Sequence, residues 1–171
     1  DQAAALAQYA QVMDANPFRG EIYAWADWRG QFVMSEGYKL LVRWARRQSD
    51  FFDRAERFTA EEKAAQGLQE KDVAYRVYLL REDKQASIRA FIEMGATFDE
   101  AYRTIATCAT GVVRKTETWN AKKNRAIDPP KGWTWDQVAV KRGLKTAINM
   151  AYGAPSPREI AAETWLVGDV E

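Results

Sequence analysis

Histidine is absent from the 171 residues, and cysteine occurs once, at Cys108. Without histidine the usual zinc-ligand sets cannot be assembled and the commonest general base is missing. One cysteine excludes an internal disulfide, so a secreted, disulfide-framed fold is disfavoured. No apolar run approaches the roughly 20 residues a spanning helix needs, and no signal-peptide pattern opens the chain. A glycine-rich, phosphate-cradling loop followed by Lys-Ser or Lys-Thr is also missing. These absences point to a cytoplasmic protein with no catalytic set, no metal, no cofactor and no membrane partner. Because the sequence opens on Asp1, it is read as part of a longer chain.

What is present is a hydrophobic share of 47% with seven Trp, seven Tyr and seven Phe. That is enough to build one core, so a single domain over 1–171 is expected, with some rings left over for stacking. Net charge is only +1, but it is unevenly placed. Between Arg103 and Lys145 ten Lys or Arg face three acids (Glu117, Asp128, Asp136), a net of +7, while the stretches before and after are each −3. A basic block inside a near-neutral chain suggests a polyanionic partner.

Periodicity predicts an N-terminal helix to Met13, a β-hairpin from Glu21–Ala26 and Gln31–Ser35, and a helix over Gly37–Gln48 capped by Ser35. In that helix Lys39, Arg43, Arg46 and Arg47 fall within a sector of about 100°. A polar helix is expected over 59–70, a strand over Val73–Leu80, and helices over Asp83–Met94 and Phe98–Cys108. A strand over Val112–Trp119 would carry Arg114 and Lys115 on opposite faces. Residues 120–132, with Lys122, Lys123, Arg125 and Lys131 around Asp128-Pro129-Pro130, read as a mobile basic loop. Thr134-Trp135-Asp136-Gln137 fits a capping box, with Trp133 and Val138 as its hydrophobic staple. The long helix it opens, 135–152, presents Lys141, Arg142 and Lys145 together. Residues 154–171 form a C-terminal extension, with a short helix expected through Ile160 and Trp165. The fold class is therefore α+β, a small antiparallel sheet packed with several helices.

Two basic helices plus a basic strand and loop, interleaved with Trp119, Trp133 and Trp135, suit single-stranded DNA, because cations neutralise phosphate while rings stack on unpaired bases. The plainer reading for any one residue is a solvated face or a core tryptophan; the block taken together is harder to assign that way. Cys108 reads as a small buried filler. Acid pairs such as Glu61-Glu62, Glu82-Asp83 and Asp99-Glu100 read as helix starts, since adjacent acids point to different sides of a helix and make a poor magnesium site.

Asp14-Ala15-Asn16-Pro17-Phe18 leading into Glu21-Ile22-Tyr23, then Gly37-Tyr38 and Ala45-Arg46-Arg47, resembles the opening of the RecT and Red-beta type single-strand annealing proteins. Trp135 to Gly153, with Lys141-Arg142, resembles that family's basic core helix. The resemblance implies a phage recombination protein of a bacterial host's cytoplasm. Such a protein anneals complementary strands without ATP and assembles into rings or helical filaments. Its partners would be single-stranded DNA, the annealed duplex, a phage exonuclease and a host single-strand-binding protein. The DNA-binding candidates are Lys39, Arg43, Arg46, Arg47, Arg114, Lys115, Lys122, Lys123, Arg125, Lys131, Trp133, Lys141, Arg142 and Lys145. The alternative is a structural or coating DNA-binding phage protein that does not anneal, with an acid-metal nuclease least favoured.

Overall fold

Local capping signals set most element boundaries in the computed structural model, which describes residues 2–27 and 29–155. Helix α1 (Gln2–Met13) is followed by a single 3-10 turn, Pro17–Arg19, whose N-cap Asn16 accepts the Phe18 N–H through its side chain. Strands β1 (Ile22–Ala26) and β2 (Phe32–Glu36) pair antiparallel, with Tyr23 opposite Ser35 and Trp25 opposite Val33. Ser35 is thus a strand residue, not the expected helix cap. That role falls to Gly37, whose carbonyl accepts the Leu40 and Leu41 N–H groups as α2 (Tyr38–Gln48) begins. Tyr9 and Met13 of α1, Ile22 of β1, and Leu40, Leu41 and Ala45 of α2 are buried. These elements, with Tyr152–Pro155, belong to one compact unit, and Ser49–Ala151 form a second.

The second unit is built on a three-stranded antiparallel sheet in the order β3 (Phe51–Arg57), β4 (Val73–Arg81), β5 (Thr107–Val113). Val77, Tyr78, Leu79 and Leu80 are buried in succession, which requires cover on both faces of β4. On one face Tyr78 and Leu80 pack with Ile88, Ala101, Tyr102 and Ala106 from α4 (Gln85–Glu93) and α5 (Phe98–Ile105). On the other lies α7 (Trp135–Tyr152). There Gly111 of β5 and Gly143 of α7 meet so closely that a Cβ on Gly111 would overlap the Ala139 carbonyl and the Gly143 amide. Between these elements come α3 (Ala60–Ala65), the four-residue α6 (Lys115–Thr118), and a two-residue ladder of β6 (Trp119–Asn120) with β7 (Arg125–Ala126).

The α+β class with small antiparallel sheets is what the sequence led one to expect. The capping boxes of α3 (Thr59 with Glu62), α5 (Thr97 with Glu100) and α7 (Thr134 with Gln137) are all formed. Elsewhere the structure departs from these expectations. Strand β3 has no counterpart in the sequence reading. It is an edge strand whose charges find partners: Arg54 pairs with Asp99 at 2.6 Å, Arg103 with Glu56 at 3.0 Å, and Arg57 with Asp136 at 3.5 Å. The strand expected over Val112–Trp119 lies earlier, over Thr107–Val113, because α5 ends at Ile105 and the small residues Ala109 and Gly111 let α7 approach. Arg114 and Lys115 therefore do not project from two faces of a strand; they open α6. Residues 120–132 begin with a paired finger, β6–β7. Cys108 is exposed on the edge strand β5, not a buried filler, since α7 covers the opposite face, carrying Ala109 and Val113. The helix expected through Ile160 and Trp165 lies outside the described residues. No helix among the described residues is long and apolar enough to cross a membrane.

Candidate nucleic-acid interface

The β6–β7 finger starts from one buried anchor. Asp72, 2% exposed, accepts the Lys115 N–H at 2.7 Å and the Arg114 guanidinium at 3.3 Å, fixing the chain where it leaves the sheet. Burial alone would raise the Asp72 carboxyl. The amide donors of Lys115 and Gln69, with Arg114, outweigh it and hold the group below the usual carboxylate range. From that anchor α6 runs into Trp119, which pairs with Ala126, while Asn120 pairs with Arg125. The turn closes through the Asn120 side chain, which accepts the Lys123 N–H at 3.0 Å, and through Asn124 at φ 46. Asparagine tolerates that left-handed conformation, and it is the signal that marks a turn where composition alone suggested a mobile loop.

Residues 121–128 of the finger and Lys131 beyond it are exposed. Among the described residues, Lys122, Lys123, Arg125 and Lys131 pair with no carboxylate. Trp119 at the finger's base is 39% exposed and Ile127 38%. Unpaired cations therefore adjoin an accessible indole. Trp119 was one of three rings the sequence offered for stacking, without being singled out from the others, and Ile127 was not assigned to binding.

The expected basic face of α7 is arranged differently. Arg142 makes a two-pronged ion pair with Glu117, at 2.6 and 3.0 Å, and donates to the Val112 carbonyl at 2.8 Å. The Lys141 ammonium lies over the Trp133 ring, and Lys145 too has an interaction within the protein. Trp133 faces Lys141, which gives the ring a cationic neighbour in addition to the staple position read from the sequence. Thus α7 ties the finger's root to the sheet, since Glu117 also accepts the Arg114 N–H at 2.9 Å. The Arg142 hydrogen bonds hold the Glu117 carboxyl below its ordinary value, against the opposing effect of burial.

In the first unit, α2 carries the remaining candidates. Arg43 is fastened to Glu21 at 2.6 and 3.0 Å and to the Asp14 carbonyl at 2.7 Å, and Arg47 pairs with Asp14 at 2.6 Å. The guanidinium of Arg43 is the main cause of the lowered Glu21 carboxyl, with the Asn16 amide second. These two arginines line an open polar cleft of about 600 Å³ whose charge they share with Asp14 and Glu21. Lys39 and Arg46 are exposed on the same helix.

Comparison with known proteins gives no family model, no curated protein and no solved structure that matches this chain.

Proposed function

We propose that the chain binds single-stranded DNA and promotes the pairing of complementary strands, with no ATP and no covalent step, as the RecT and Red-beta type annealing proteins it resembles do. The observation that carries this reading is the β6–β7 finger, where Lys122, Lys123 and Arg125 stand exposed and without carboxylate partners beside the accessible Trp119. Phosphates displace counterions from the lysines and arginine, and an unpaired base stacks on the indole without regard to sequence. Lys115 and Lys131 extend the cationic track on either side of the finger, and Lys39 and Arg46 supply further phosphate contacts from α2. Arg43, Arg47, Arg114 and Arg142 act less as phosphate ligands than as struts, because a phosphate must compete with the carboxylates they already hold. Screening of backbone charge while pairing edges stay free is what brings two strands together. The partners in this reading are single-stranded DNA, the annealed duplex, further copies of the chain, a phage exonuclease and a host single-strand-binding protein, in the cytoplasm of a bacterial host.

Mixing two complementary oligonucleotides with the protein in the absence of ATP tests this. Faster duplex formation is the expected outcome. Slower formation would make the protein a coat that protects strands, and shortened products would make it a nuclease.

A further inference from the structure

Phe18 is 99% exposed, yet its backbone is closely specified. The Asn16 side chain accepts its N–H at 2.9 Å, Glu21 accepts the Asn16 N–H at 2.7 Å, and Pro17 opens the turn. Gly20 closes it at φ 65, donating its N–H to the Pro17 carbonyl at 3.1 Å. Beyond this turn Tyr23 and Trp25 share one face of β1, since alternate residues of a strand point the same way. Each is about half exposed, and their cross-strand partners Ser35 and Val33 are smaller. A Cβ on Gly20 would lie 3.6 Å from the Tyr23 hydroxyl, so the second ring reaches back to the turn that carries the first. Among the described residues none of the three makes a contact with another ring.

The surroundings decide what such rings can bind. Phe18 edges the open polar cleft in which Arg19, Arg43 and Arg47 stand against Asp14 and Glu21. A protein partner that buried Phe18 would need further apolar surface around the ring to exclude water, and the cleft supplies charged groups instead. A nucleobase needs only the face of the ring for stacking, while its polar edge and its phosphate stay in water. Three guanidinium groups against two carboxylates leave the cleft positive, which suits a polyanion. The spacing along β1 agrees. Residues two apart on a strand are separated by about 6.8 Å, twice the roughly 3.4 Å between stacked bases, so Tyr23 and Trp25 leave the thickness of one base between them.

We propose that Phe18, Tyr23 and Trp25 form a stacking track for unpaired bases, carried by the first unit and distinct from the finger of the second. The inference rests on the DNA reading and adds to it a place where bases, and not phosphates, are held. Because the backbone under Phe18 is already fixed, little freedom is lost when a base settles on the ring. Stacking occupies the face of a base and leaves its pairing edge open, so a strand held on the track can still be matched by its complement. Duplex DNA, whose base faces already stack on one another, gains nothing there.

Phe18→Ala and Trp25→Leu are compared with Phe18→Trp and Trp25→Phe by fluorescence anisotropy, on oligothymidylate and on an abasic oligonucleotide of equal length. The first pair removes a ring and the second keeps one; Leu preserves apolar bulk at the half-exposed strand position. Removing either ring is expected to weaken binding to oligothymidylate roughly five-fold or more, with the salt slope and the affinity for the abasic strand unchanged. The variants that keep a ring are expected to bind as the wild type does. Affinity for oligothymidylate that survives either Phe18→Ala or Trp25→Leu, or that falls equally on the abasic strand, overturns the proposal and leaves the DNA reading standing. A wild-type protein that binds neither oligonucleotide overturns both.

Discussion

Glu117 uses one carboxylate for two purposes, accepting the Arg114 amide at the start of α6 and neutralising Arg142 from α7. Replacing it by Gln keeps an acceptor for the amide but releases the guanidinium. Glu117→Gln is therefore expected to bind single-stranded DNA several-fold more tightly at low salt, by fluorescence anisotropy, at a modest loss of stability, since half-exposed ion pairs contribute little, roughly 0–1 kcal/mol. The sign with pH is fixed by the direction of the shift. The folded carboxyl lies below its ordinary value of 4.5, so its contribution to stability is complete above that pH and is lost as pH falls through the depressed folded value. Trp119 has a separate role. Trp119→Ala is expected to weaken binding by about 1–3 kcal/mol per stacked base while leaving the salt dependence of binding unchanged. A changed salt slope with normal affinity would remove the indole from contact with bases.

The finger and the α7–sheet contact are where element-level behaviour is most exposed to test. If the finger takes up phosphate, the combined replacement of Lys122, Lys123 and Arg125 by Ala should flatten the logarithmic salt dependence by about 2, at roughly 0.7 per phosphate lost. It should change thermal stability little, since these side chains are exposed and hold no carboxylate among the described residues. At the opposite extreme, a Cβ on Gly143 would drive into the Val77 side chain and the Gly111 backbone. Gly143→Ala is expected to cost about 1–3 kcal/mol or more through overpacking, seen as a lowered urea midpoint. Elements with strong local grammar were legible in the sequence. The capping box read at Thr134 starts its helix where the residues say, and the runs expected over Glu21–Ala26 and Gln31–Ser35 pair as a hairpin. Strand β3 was not legible, because Phe52, Arg54 and Glu56 share a face that looks unsuitable for a sheet until α5 supplies Asp99 and Arg103 as partners. The same holds for β5, whose small residues are chosen by the approach of α7 and not by any strand propensity of their own.

For the molecule as a whole, a net charge of +1 gives no general attraction to a polyanion, so binding must come from where the charges stand. The basic block between Arg103 and Lys145 was visible in the sequence, but which of its members remain available was not. Pairing of Arg114 with Asp72 and of Arg142 with Glu117 joins residues 42 and 25 positions apart, and only the fold brings them together. What the fold leaves unpaired is concentrated on the finger and at Lys131, so the salt dependence of the wild-type protein on oligothymidylate is the direct measure of its use. The four cations there, releasing counterions at about 0.7 each, should alone make log K fall with log salt at a slope near −3, steepening toward about −5 with phosphates on Lys39, Arg46 and Lys115 as well. A slope near zero, or no binding at low salt, contradicts it.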